Sequence, residues 1–142
     1  MKRRSLNFEG DRVAVDTNVL VRYFTWDDEQ QGQDAARVIE SAGTIVVSTI
    51  VLCELVWVLK RAYRYTDQPI SNILQRLLQT NNIELDRLAA EAGIAMLRKK
   101  GGFADGVIRL ESRRSKCKRL VTFDQNFARI CGAAEVELLA RQ

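Results

Sequence analysis

Apolar positions along the chain fall into two kinds of run, short β-branched blocks and longer stretches of helical period, and the two kinds alternate. Arg12-Val13-Ala14-Val15 reads as a short buried strand, closed by Asp16-Thr17-Asn18, residue types that cap a following helix. A helix over Val19–Phe24 comes next. After Asp27-Asp28 another runs to about Ser41, with Ala35, Ala36 and Ile39 on one side. Thr44–Val47 is a second buried strand. Ser48 or Thr49 then caps a helix that passes through Glu54 to about Tyr65 and is apolar nearly all round. Asp67-Gln68-Pro69 breaks the chain before a helix over Ile70–Gln79, and a short strand over Ile83–Leu85 leads to a helix over Arg87–Lys99. Gly101-Gly102 separates that helix from one over Phe103–Arg114. Arg119–Thr122 is another buried-type strand, Asp124 caps a brief helix to Ile130, and Glu135–Leu138 forms a last edge strand.

Strands alternating with helices imply an α/β fold, a mainly parallel sheet covered on both faces. In such sheets the functional site lies at the carboxyl ends of the strands. Asp16 follows the first strand directly and Asp124 follows the fourth almost directly, so both carboxylates are expected over the same edge.

Composition narrows the class. The 142 residues suit one domain, residues 12–142, preceded by a flexible basic leader over residues 1–11 that carries Lys2, Arg3 and Arg4. With 46% hydrophobic and 28% charged residues, the chain reads as a folded globular protein. Cys53, Cys117 and Cys131 form no C-x-x-C pair and read as reduced thiols, and the longest apolar stretch is too short to span a bilayer. A soluble, cytoplasmic protein is expected. The balance of 22 basic to 18 acidic residues gives a net charge of +4, a weak pointer to a polyanionic partner. From Arg98 to Arg119, nine basic residues face only Asp105 and Glu111, which makes either a solvated helix face or a nucleic-acid surface.

The acids carry the candidate chemistry. Asp16 and Asp124 have the positions of helix N-caps, and Asp105 sits where it would complement a helix dipole. Glu54 is different: Ile50, Val51, Leu55, Val58 and Leu59 surround it along the helix, and a buried, unpaired carboxylate is strongly unfavourable. It calls for a cation or for an ion pair with Lys60 or Arg61. Taken together, Asp16, Glu54, Asp105 and Asp124 suit a site for Mg²⁺ or Mn²⁺, hard cations that prefer carboxylate and water oxygens. The chain has no histidine, which excludes histidine acid–base and Ser-His-Asp chemistry, and it has no phosphate-binding glycine loop. Metal-assisted phosphodiester hydrolysis remains open to these residues.

Four stretches in order, Val15-Asp16-Thr17-Asn18-Val19-Leu20, Ser48 with Glu54, Phe103-Ala104-Asp105, and Val121-Thr122-Phe123-Asp124, resemble the motifs of the PIN-domain nucleases, in particular the VapC-type toxins of bacterial toxin–antitoxin pairs. The resemblance spans about Val13 to Leu138. It implies a three-layer α/β/α fold and an Mg²⁺- or Mn²⁺-dependent endoribonuclease. Asp16 and Asp105 would bind metal, with Glu54 and Asp124 acting directly or through water, and Thr17, Asn18, Ser48 and Thr122 in support. It also implies a homodimer and a small cognate antitoxin that inserts a basic residue among Asp16, Glu54 and Asp105. Gly102 and Asn126 stand where many relatives carry further acids, and Gly106 replaces the commoner alanine.

Arg109, Arg113 and Arg114, close to Asp105, are the expected contacts to RNA phosphates. Val21, Tyr23, Phe24, Trp26 and Trp57 are either core or dimer surface. Other readings are an RNA-processing PIN nuclease that is not a toxin, a haloacid-dehalogenase-type phosphatase, and a phosphate-accepting receiver-like module. The phosphatase wants a second acid two residues after Asp16, where this chain has Asn18, and the receiver-like module wants paired acids after the first strand and a lysine after a late one, which Thr122-Phe123-Asp124 does not supply.

Overall fold

The computed structural model describes residues 7–140, so residues 1–6 of the expected leader lie outside the described residues. Residues beyond them already belong to the fold. Glu9 forms an antiparallel bridge with Ala42, and the Thr44 N–H donates to the Asp11 carbonyl at 3.0 Å.

Two compact units divide the chain, residues 1–86 and 87–142. In the first, β1 (Arg12–Ala14), β2 (Thr44–Val46) and β3 (Ile83–Glu84) form a parallel sheet in the order β1-β2-β3, with Val13 opposite Ile45 and Ile45 opposite Ile83. Parallel neighbours need crossovers. Helices α1 (Thr17–Thr25) and α2 (Glu29–Ser41) make the first, α3 (Thr49–Arg61) and α4 (Asp67–Gln79) the second. Leu20, Ile39, Ile45, Leu52, Leu55, Leu59, Ile70 and Leu74 make a fully buried core, supplied by every one of these helices and by the central strand.

The helices begin where their caps dictate. Asp16, Asp28 and Ser48 each accept a bond from the backbone N–H three residues on, at 3.3, 3.0 and 3.3 Å. Two boundaries differ from expectation by more than two residues. Asp67-Gln68-Pro69 opens α4 rather than breaking the chain before it, because a proline in the first turn gives up an N–H that has no helical partner there. Helix α3 ends at Arg61, four residues early. There the chain turns back so that the Tyr65 N–H donates to the Leu59 carbonyl, and the Tyr63 hydroxyl joins Arg22 and Asp27 in a polar cluster.

The second unit contains α5 (Arg87–Arg98), α6 (Phe103–Arg114), β4 (Leu120–Thr122), α7 (Gln125–Cys131) and β5 (Val136–Leu138), with β4 and β5 parallel and Leu120 opposite Val136. Helices α5 and α6 pack backbone to backbone. A Cβ on Gly106 would stand 2.3 Å from the Ala92 carbonyl oxygen, and one on Gly93 would strike the Phe103 ring, so glycine at both positions permits the approach. Ile94, Leu97, Phe103, Val107, Phe127 and Val136 are buried in this unit.

Candidate active site

In the first unit Asp16 leaves the end of β1 and caps α1, its Oδ1 accepting from the Val19 N–H. Thr17 behind it is buried, whereas Asp16 and Asn18 are exposed. Asn18 lines a groove of about 230 Å³ between α1 and α2, floored by Val19, Ala35 and Val38 and edged by Arg22, Gln31 and Asp34.

Glu54 overturns the expectation of burial. It lies on an exposed arc of α3 with Ile50 (71% exposed), Trp57 (62%) and Arg61, while Leu52, Leu55, Val56 and Leu59 take the buried arc. An apolar helix is not thereby a buried one: two of its large apolar residues point into solvent, and the carboxylate shares their arc. Desolvation therefore gives no reason for a cation at Glu54. Lys60, considered as its ion-pair partner, lies 2.8 Å from Asp67 instead. Ser48 caps α3.

In the second unit Asp105 stands in the first turn of α6, half-buried. Burial pushes its carboxyl above the usual carboxylate range, and the charge of Asp124 pushes it further the same way. Asp124, at the end of β4, caps α7 through the Phe127 N–H at 3.0 Å. Thr122 supports it from below: the Asp124 N–H donates to the Thr122 Oγ1 at 3.0 Å, which fixes the backbone that carries the carboxylate. Asn126 donates to the Lys100 carbonyl and accepts from Arg129. Within neither unit, among the described residues, do three or more Asp, Glu or Cys side chains gather into a group able to hold a metal.

Two of the expected RNA contacts are engaged by one acid within the fold. Arg109 and Arg113 each bind Glu135 through Nε and Nη2, at 2.9 and 2.6 Å and at 2.9 and 3.0 Å respectively, so both guanidinium groups already have an internal counter-ion. Those bonds hold the Glu135 carboxyl down to about 2. Arg114 is exposed at the end of α6. Glu135 itself, which the sequence marks only as the start of a strand, is a residue that sequence reasoning missed; two arginines four apart on one helix face were the signal that an acid had to be near.

The aromatic residues also divide. Val21 is core, 2% exposed, which removes it from the candidate dimer surface. Tyr23 and Phe24 are half-buried and meet edge to face at 5.0 Å, with the Arg76 guanidinium 5.3 Å above the Phe24 ring. Trp26 lies against Gly32, where a Cβ would clash with its ring, and it remains partly exposed like Trp57.

The family model of the PIN domain matches residues 13–133, a span that includes Asp16, Glu54, Asp105 and Asp124. The chain belongs to the PIN-domain family. No curated protein sequence matches it. PIN domains are a nuclease family and generally use divalent metal ions. The α/β class with parallel strands is the one expected, and no helix among the described residues is long and apolar enough to cross a membrane.

The residues of the second unit fit such an ion. Asp105 and Asp124 offer hard oxygen donors, and the cost that burial and the charge of Asp124 place on ionising Asp105 is one that a divalent cation would offset.

Proposed function

We propose that this PIN-domain protein is an Mg²⁺- or Mn²⁺-dependent endoribonuclease, with Asp16, Glu54, Asp105 and Asp124 as its acidic set. The observation that carries the reading is Asp105, a half-buried carboxylate whose ionisation the charge of Asp124 disfavours further, in a chain of a nuclease family. Asp105 and Asp16 would hold the metal directly, and Glu54 and Asp124 directly or through water. When bound, the metal supplies charge neutralisation at the phosphorus and a water acidic enough to attack it. Thr122 fixes the backbone of Asp124, the Val19 N–H fixes the Asp16 carboxylate, Thr17 would support it from its buried position, and Ser48 starts the helix that carries Glu54. Arg109, Arg113 and Arg114 would meet the RNA backbone.

The regulatory part of the proposal is a type II toxin in the cytoplasm, a homodimer held in check by a small antitoxin whose arginine or lysine enters the acidic set and competes with metal. Its support is the VapC-like motif order together with acids that a cationic side chain would neutralise as a metal does.

Purified protein incubated with total RNA, with Mg²⁺ or with EDTA, beside Asp105→Asn, tests the activity. Cleavage is expected only for the unaltered protein with metal. Equal cleavage by folded Asp105→Asn, or cleavage that ignores EDTA, overturns the reading. Co-expression with the product of an adjacent small reading frame tests the toxin role: a complex that cleaves RNA as fast as the free protein removes it and leaves the nuclease standing.

A further inference from the structure

We propose that the groove between α5 and α6 is a subsite for a backbone phosphate of RNA, formed by Lys99, Arg109 and Arg113, with Glu135 as a built-in counter-ion that the phosphate partly displaces. The proposal rests on the nuclease reading for its choice of RNA.

The groove encloses about 140 Å³ and is lined by small and apolar residues of both helices, Met96 and Leu110 among them, and by the three cationic side chains, and no acidic residue lines it. That volume takes several waters, at about 30 Å³ each, or one phosphodiester group. The helices touch there through Gly106 and the Ala92 carbonyl, so the cations line a trench rather than a filled ridge.

Arg109 and Arg113 lie one turn apart on the same face of α6, and both converge on the one carboxylate of Glu135. Two guanidinium groups gripping one anion in bidentate fashion is the arrangement they would adopt on a phosphate. Glu135 therefore keeps them aligned in the free protein, so the order that anion binding would have to impose is already present. Only Nε and Nη2 of each guanidinium enter these bridges, and Nη1 of each takes no part in them. Three cations against one carboxylate leave an excess of two positive charges, which a phosphodiester would reduce. A purely structural staple between α6 and β5 would need Arg109 and Glu135 but neither Lys99 nor the acid-free trench. Arg109 stands one helical turn, about 6 Å along the axis, from Asp105, so a strand held at the acids has a neighbouring phosphate within reach of the groove.

The test is fluorescence anisotropy of a labelled single-stranded RNA with the full chain in EDTA, over a series of salt concentrations, which reads binding without cleavage. Lys99→Ala is expected to weaken binding three- to tenfold and to flatten the salt dependence by about 0.7 in slope, the share of a single phosphate neutralised by one cation. Lys118→Ala, the same charge change in the loop after α6, should leave both within twofold. Glu135→Gln should tighten binding, and Asp105→Asn should keep the full effect of Lys99→Ala. Equal effects of Lys99→Ala and Lys118→Ala overturn the subsite, and unchanged or weaker binding by Glu135→Gln overturns the counter-ion role. If inorganic phosphate binds in a Lys99-dependent way while RNA affinity ignores Lys99, the groove is a small-anion site and the RNA assignment falls. Cleavage with no Lys99 dependence of binding sinks the subsite alone. Lys99-dependent binding without metal-dependent cleavage sinks the nuclease reading alone.

Discussion

Asp16 and Glu54, in the first unit, are exposed, and the only hydrogen bond that either carboxylate makes among the described residues is the cap of Asp16 on the following helix. Asp105, in the second, is half-buried, and the charge of exposed Asp124 adds to the cost of ionising it. Four acids that look alike in a motif thus divide into three exposed ones, two of them helix caps, and Asp105, which the fold holds at some cost. A carboxylate kept where ionisation is disfavoured, with a second carboxylate beside it, is harder to explain by stability than by ligand binding. A helix cap is fully explained by stability alone.

The largest expected effect follows from that contrast. Asp105→Asn should reduce RNA cleavage in Mg²⁺ by a hundredfold or more while circular dichroism remains that of the folded protein. Mg²⁺ should raise the melting temperature of the unaltered protein, because an ion that binds only the native carboxylates stabilises by mass action, and that rise should vanish in Asp105→Asn. Wild-type turnover, or an undiminished metal shift in the variant, would break the distinction between Asp105 and the three exposed acids.

How much of this is legible in the sequence depends on whether local or distant residues decide. Helix α6 runs from Phe103 to Arg114 as expected, because Gly101-Gly102 before it is a local stop. The caps at Asp16, Ser48 and Asp124 are legible for the same reason: a side chain and an N–H three residues away settle them. The exposure of Glu54 is not legible, because a helical wheel rich in apolar residues does not say which arc the rest of the fold covers, and here Ile50 and Trp57 stand in solvent. The grip of Arg109 and Arg113 on Glu135 spans more than twenty residues, and only the packing of α6 near β5 brings it about. Asp105 and Asp124 can be associated by motif order, but their electrostatic coupling is a property of the folded unit.

Glu135 supplies the next effect. Its folded-state value is about 2 against an ordinary 4.5, so it contributes stability that is fully present above about pH 4.5 and is lost as pH falls towards 2. The full shift corresponds to about 3 kcal/mol, and about 1–2 kcal/mol is expected after solvent screening of the exposed Arg113. Urea unfolding at pH 7 and at pH 3 should show Glu135→Gln less stable than the unaltered protein at the higher pH, with the deficit cut to less than half at the lower. A deficit that is the same at both would mean that the carboxylate's charge is not what holds the two arginines.

Smaller, and opposite in sign, are the stability effects at the two kinds of acid. Asp16→Ala removes a cap and should cost about 1 kcal/mol. Asp105→Asn should instead raise the melting temperature in EDTA at pH 7, since a carboxyl whose folded value is raised loses stability as pH rises through that value, and asparagine carries no charge to be penalised. Two variants falling in the same direction would show that Asp105 is only another helix-terminal acid.

The smallest effect decides the placement of Glu54. On an exposed arc, with no ion pair among the described residues to break, Glu54→Gln should change unfolding free energy by less than about 0.5 kcal/mol. A buried carboxylate paired with a cation would respond quite differently, because losing its charge would strand the partner at a cost of several kcal/mol. Leu55→Ala is the internal control: the next residue along α3 is fully buried, and its truncation should cost about 2–5 kcal/mol. If Glu54→Gln abolishes cleavage without moving stability, then the acid serves the reaction and the fold is indifferent to it. If it leaves cleavage intact as well, Glu54 leaves the acidic set, and the metal chemistry falls to Asp16, Asp105 and Asp124.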